Sequence, residues 1–162
     1  MPISVIYFYL RRPDVTPEHF RSYMEETHVP LIKEVFEMHP PQSLRLRYIA
    51  RVKTGAGDRL GAVTSSRGRA DPDAPVVLVG SPEDVDWDAI GEMVFRDELH
   101  VQQCLAVMNG PGGQRIKEDE ETIAITEKTR LEVDGILGYV NETKHNGHWL
   151  LSEECAIYYQ YS

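Results

Sequence analysis

The segment Ile3-Ser4-Val5-Ile6-Tyr7-Phe8-Tyr9-Leu10 sets the tightest limit on what this chain can fold into. Its residues are β-branched or aromatic almost throughout, with little polar alternation, so it reads as a strand buried on both faces. Such a strand needs neighbours beside it and cover above and below. It could be taken for the apolar part of a secretory signal. However, no basic residue precedes it, and Arg11-Arg12-Pro13 stands where a small-residue cleavage site would be. The expectation is a cytoplasmic protein that opens on a core strand, in which the acceptor triplet Asn141-Glu142-Thr143 carries no sugar. No apolar run approaches the ~20 residues that cross a bilayer, so no membrane partner is expected.

After a turn over Arg11 to Val15, Thr16 reads as a helix N-cap with Pro17 at the first helical position. The helix presents Phe20, Tyr23, Met24, Thr27, His28 and Leu31 along one stripe. Pro30 is expected to break or bend it, with a short helical stretch from Leu31 to Phe36 before Pro40-Pro41. Ser43 to Val52 alternates as a half-buried strand, with Leu44, Leu46, Tyr48 and Ala50 on one face and Arg45, Arg47, Ile49 and Arg51 on the other. Lys53 to Ala74 reads as a mobile loop, followed by a short apolar piece from Pro75 to Val79. Asp86 to Phe95 reads as a strand with Trp87, Ala89, Gly91, Met93 and Phe95 on one face. Asp97 to Met108 reads as a helix turning Leu99, Cys104, Leu105 and Met108 inward. Asn109 to Gly113 interrupts, a helical turn covers Gln114 to Glu121, and Thr122 to Val133 is the fourth strand.

The order β, α, β, β, α, β predicts an α+β, ferredoxin-like fold with a four-stranded antiparallel sheet. That fold occupies residues 1–133, with a loop insertion at 53–75. The tail, 134–162, holds Trp149 and three late tyrosines, too many aromatics for disorder, and is expected to pack on the body or on a neighbouring subunit. Helices cover one sheet face only, while the first strand is apolar on both sides. A second copy closing sheet on sheet, a homodimer, answers this most simply.

A chain of 162 residues is one domain's length and can bury a core without staples. The net charge of −9 argues against a nucleic-acid partner, whose binding rests on cationic contacts to phosphate. Residues 1–82 hold eleven basic and nine acidic side chains, and residues 83–162 hold six and seventeen, which reads as a well-solvated acidic half. Cys104 and Cys155 are too few for a disulfide framework or a thiolate zinc site. Gly55 to Gly61 lacks the spacing and the strand-to-helix setting of a dinucleotide loop. His145 and His148 stand too isolated to specify a metal, and none is expected. Glu118-Asp119-Glu120-Glu121 reads as a solvated helix face.

Thr16-Pro17-Glu18-His19-Phe20-Arg21-Ser22-Tyr23-Met24-Glu25-Glu26-Thr27-His28-Val29-Pro30-Leu31 resembles the first-helix signature of the EthD family. The likeness covers a Thr-Pro-Glu opening, Phe and Tyr within the helix, then Glu and a hydroxyl residue before His, and Pro-Leu beyond it. It is strong over residues 3–36 and follows the segment order of 86–133. Residues 53–75 and the tail fall outside it, and Met24 stands where the family often carries Trp. The resemblance implies the dimeric α/β-barrel superfamily, no bound cofactor, and a bulky hydrophobic aromatic substrate. Fungal members with an inserted loop and an extended tail are polyketide-tailoring decarboxylases or dehydratases, so a cofactor-independent lyase is the leading expectation. Cofactor-free anthrone-type oxygenases, polyketide cyclases or isomerases, and a non-catalytic binding barrel are the alternatives, since one fold hosts many chemistries.

On that basis His28 is the candidate general acid/base: an imidazole on the apolar stripe titrates near neutrality and can move a proton either way. The plain alternative is a core histidine satisfied by a backbone carbonyl. Tyr7, Tyr9, Tyr23 and Tyr48 could hydrogen-bond oxygens of an aromatic substrate while stacking on its rings. Arg47, or Arg45, could hold a carboxylate in bidentate fashion. His100 is a candidate pocket residue at the start of the second helix, and Trp87, Met93 and Phe95 a candidate apolar wall. Each of these is also what an ordinary core or solvated face would show.

Overall fold

The structure is a computed structural model that describes residues 1–66, 70–128, 130–134, 149, 150 and 152–155. Strand β1 (Ile3–Tyr9) leads to α1 (Pro17–Tyr23), one π turn (Met24–His28) and α2 (Val29–Val35), which together form a continuous helix. Then come β2 (Ser43–Ile49), α3 (Ala56–Leu60), β3 (Val77–Val79), β4 (Ala89–Phe95), α4 (Glu98–Met108) and α5 (Pro111–Glu120). Backbone strands β5 (Arg130–Asp134), β6 (Trp149–Leu150) and β7 (Ser152–Cys155) follow.

The main sheet has the order β5-β1-β4-β2-β7, and every pairing in it is antiparallel. Its first four members carry the ferredoxin-like topology expected from the element order, and β7 from the tail adds a fifth at the β2 edge. The count of four is therefore corrected to five. β1 lies between two neighbours, as its double-sided apolar sequence requires. The second correction concerns the last ferredoxin strand, expected over Thr122 to Val133. The chain there first closes α5 with turns at Thr122 to Ala124 and makes a single bridge, Arg11↔Ala124, before β5 begins at Arg130. Thr122 and Ile123 give their backbone N–H groups to the orphan carbonyls at the end of α5, which a strand could not do.

All the helices that share the main core pack on one sheet face. Ile3, Val5 and Tyr9 of β1, Leu44, Leu46 and Tyr48 of β2, and Ala89, Met93 and Phe95 of β4 are buried there with Phe20, Met24, Val29, Ile32, Cys104 and Ile116. Leu99 and Leu105, expected inward on α4, are exposed instead; His100, Val101 and Cys104 take the inner face. The segment expected to be plain loop carries α3 and a small core of its own, with Ala50, Val52, Ala62, Ala74 and Val76 buried together. Trp87 does not share a face with Met93 and Phe95. Asp88 is drawn inward by Arg11 and Arg51, β4 starts only at Ala89, and the Trp87 ring packs edge-on to Phe8 at 5.9 Å on the opposite face. Among the described residues, no helix is long and apolar enough to cross a membrane.

Thr16 caps the first helix as the sequence suggests, its Oγ1 accepting from the His19 N–H at 3.2 Å. Pro30, however, does not break it. A proline ring presses on the carbonyl four residues back, and here the widened π turn relieves that crowding: the Val29 N–H reaches the Met24 carbonyl five residues earlier. The extra residue brings Val29 and Ile32 onto the inward stripe beside His28, while Thr27 is exposed and Leu31 is only partly buried against the core. Ile32→Ala is therefore expected to cost about 2–5 kcal/mol in urea unfolding, and Thr27→Ala about 0.5 kcal/mol or less. The reverse ranking would mean that the helix keeps an uninterrupted α register.

Candidate active site

His28 ends the π turn and is wholly buried, at 0% exposure. Its ring stands edge-on to Tyr9 at 6.2 Å, and Tyr9 in turn stacks beside Tyr7 at 6.4 Å. Gly91 makes room for these rings, because a Cβ there would come within 3.3 Å of the Tyr9 ring and of Leu46. From the other side comes the end of α5. The Asp119 Oδ2 lies 2.7 Å from His28 Nδ1, and the Asp119 Oδ1 accepts from the Tyr23 hydroxyl at 2.8 Å. The Glu120 Oε1 lies 3.3 Å from His28 Nε2, within ion-pair reach but off the N–H axis, so Nε2 makes no hydrogen bond.

Two local devices bring α5 to this point. The first is the α4–α5 corner, which is tight enough that a Cβ on Gly113 would sit 1.8 Å from the Met108 carbonyl oxygen. The second is the chain after α5, which is tied to the end of β1 by Arg12 N–H to Ile123 at 2.9 Å and Ile125 N–H to Leu10 at 2.8 Å. Both carboxylates are mostly buried, with Asp119 at 14% and Glu120 at 17% side-chain exposure. Glu120 also lines an open cleft of about 720 Å³ together with Met108, Gly113, Ile116, Lys117 and Glu127.

Burial alone would push the His28 imidazole down. The carboxylates beside the ring, Glu120 first and then Asp119, outweigh it and hold the group above its ordinary 6.5, which favours imidazolium near neutral pH. Tyr7 is pushed up to about 12 by burial first and then by the negative charge of Glu120. Tyr9 is held well above its usual range by burial and by Glu120, which its hydroxyl faces. The tyrosines are therefore neutral donors, and the cluster combines a cationic acid, two anions and three phenols. No group of three or more His, Cys, Asp or Glu among the described residues is arranged to hold a metal ion.

Of the residues singled out in the sequence, the fold brings together His28, Tyr7, Tyr9 and Tyr23. Met93 and Phe95 lie in the same core farther along the sheet; Phe95 pairs with Ile3, six residues of β1 away from Tyr9, roughly 20 Å. His100 is at that far end, edge-on to Phe95 at 5.4 Å, with Nδ1 accepting from the Arg96 N–H at 3.3 Å. Tyr48 packs edge-on to Phe20 at 6.4 Å under the Arg21 guanidinium. Arg47 lies on the sheet face opposite the helices, and so does Trp87 against Phe8. Asp119 and Glu120, read from sequence as solvated, are the residues that were missed. One signal was present: Gly113, Ile116, Glu120 and Ile123 follow one helical stripe, and a carboxylate sits in it.

The family model described as EthD domain matches residues 12–126. No curated protein matches. Among solved structures, an ethyl tert-butyl ether D (EthD) family protein from Bacillus halodurans C-125 is similar, with 18% identity, a TM-score of 0.47, and coverage of 83% of this chain and 98% of that one. SnoaB, a cofactor-independent oxygenase from Streptomyces nogalater, is similar with 9% identity, a TM-score of 0.40, and coverage of 87% and 98%.

A histidine whose value is raised on folding stabilises the native state fully below its unfolded value and loses that contribution as pH rises through the folded value. Urea unfolding should therefore show the protein losing stability as pH rises above the ordinary imidazole value, with a slope of at most about 1.4 kcal/mol per pH unit. In His28→Gln this particular slope should vanish; an unchanged slope would mean that the imidazole carries no charge in the native state.

Proposed function

This chain belongs to the EthD domain family, and from that premise we propose that it is a cofactor-independent lyase acting on an aromatic polyketide-type acid, with His28 as the general acid. One observation carries the reading. The buried ring is anchored at Nδ1 by Asp119, while Nε2, equally buried, is left without a hydrogen-bond partner. A buried ring N–H without a hydrogen bond is costly, and an imidazolium anchored at one nitrogen with its other N–H unbonded is the arrangement of an acid awaiting a substrate oxygen.

The charge state favours loss of carbon dioxide over loss of water. Decarboxylating a β-keto acid begins with proton donation to the ketone oxygen, while the carbon–carbon bond pair moves into an enol. An imidazolium at rest is ready for that step. Dehydration instead begins with removal of a proton from carbon, for which an imidazolium must first be discharged. The rings of Tyr7, Tyr9 and Tyr23, beside the same imidazole, supply aromatic faces for an oxygen-rich aromatic guest.

The opposite sheet face supports a homodimer. Ile6, Phe8, Ile90 and Val94 are only half-buried there and share the face with Trp87 and with the Arg45–Glu92 pair at 3.8 Å. A mixed apolar and charged surface of this kind fits a second copy closing on it.

Incubation with aromatic β-keto polyketide acids, in air and under nitrogen, is expected to give a product lighter by carbon dioxide in both. A heavier product formed only in air would replace this reading with oxygenation. His28→Gln, with an unchanged circular-dichroism spectrum, is expected to lower kcat by about 10²–10⁴-fold; activity within a few-fold of the parent would overturn the assignment. Sedimentation equilibrium is expected to give twice the 18.5 kDa of one chain, and a single-chain mass would refute the pairing.

A further inference from the structure

Resting on His28 as the acid, we propose that Glu120 is the port through which this buried imidazole regains its proton from the open cleft. The need follows from the stoichiometry. When a β-keto carboxylate loses carbon dioxide, the carbon–carbon pair ends as a new carbon–hydrogen bond, so one proton is taken from solvent in every turnover. The His28 ring is at 0% exposure in the resting protein, so the proton that it gives to a seated substrate has to be returned by a neighbouring side chain.

The two carboxylates are not equivalent. Asp119 is committed on both oxygens, to His28 Nδ1 at 2.7 Å and to the Tyr23 hydroxyl at 2.8 Å. Glu120 stands 3.3 Å from the unbonded Nε2 and also forms part of the wall of the 720 Å³ cleft. Among the described residues it both faces the open ring nitrogen and lines that cleft. A proton taken up by its carboxylate from cleft water needs only a side-chain rotation to come onto the Nε2 axis. The carboxylate then returns to the anion, and the imidazole to the cation.

The groups around Glu120 come from several elements. Tyr7 and Tyr9 of β1 are neutral, His28 comes from the π turn, Lys117 and Glu121 lie on or beside its own helix, and Glu127 is across the cleft.

Glu120→Ala is expected to lower kcat about 10²-fold with KM little changed. Formate or acetate, small acids that can enter the vacated space, should restore activity in a concentration-dependent way, and Glu120→Asp should restore part of it. In Glu120→Gln, exchange of the His28 Nε2–H with water, followed by nitrogen-15 NMR without any substrate, is expected to slow at least tenfold, roughly in line with that loss. Wild-type exchange in Glu120→Gln overturns the port, as does lost activity that no small acid restores. If His28→Gln is inactive while Glu120→Ala and Glu120→Gln behave as wild type, the port fails and the lyase reading stands; if His28→Gln stays active, the lyase reading fails first.

Discussion

An imidazolium removed from water persists only where anions replace its hydration, and that requirement organises this protein. His28 belongs to the first helix, whereas Asp119 and Glu120 belong to the end of the last one, 91 residues later for the Asp119 contact. Their meeting ties the two helices together over the sheet at the point where β1 ends. Buried ion pairs rarely add much net stability, because desolvating each charge offsets the attraction, yet removing one partner of such a pair costs about 3–5 kcal/mol. The cluster is therefore better understood as a device that fixes the charge and orientation of one ring than as a source of stability.

The helix ends contribute to that device in opposite senses. Four acidic residues, Glu118 to Glu121, crowd the C-terminal end of α5, where the helix macrodipole already disfavours negative charge. A cation placed there is favoured by the same field, and His28 is that cation. Acids and imidazole thus relieve one another. On the other helix, the π turn that accommodates Pro30 ends at His28 and brings Val29 inward beside it, so a backbone adjustment forced by one proline lies directly at the acid.

Much of the architecture was legible in the residues because it rests on local or periodic signals. The double-sided burial of β1, the Thr16–Pro17 helix start, the alternation of β2 and the order of elements each follow from side-chain chemistry within a few positions. The errors share a different cause: each depends on contacts distant in sequence. Nothing near Trp87 reveals that Asp88 is drawn between Arg11 and Arg51, which turns the indole to the other face. Nothing in Thr122 to Val133 reveals that its first residues are spent capping α5. In the site, His28 was visible through its motif and its stripe. Asp119 and Glu120 look solvated within their acidic run, and only the fold of residues 109–125 back toward β1 shows that two of the four point inward.

The asymmetry between the two ring nitrogens decides what this cluster can do. Both carboxylates already hold the imidazole above its ordinary value, and bonding it in line at both nitrogens would have left a structural ion pair and little else. Burial acts the other way, weakening the hold on the proton. With Asp119 in line at Nδ1 and Glu120 off axis at Nε2, the ring keeps its charge and orientation, yet one N–H remains without an acceptor. That N–H is held next to phenols that stay neutral because of their own burial and the nearby anion. An acid so arranged keeps its charge and presents one unbonded N–H, and in the proposed scheme the carboxylate beside it returns the proton that it gives up. Its reactivity therefore depends on the geometry of Glu120 as much as on the imidazole itself.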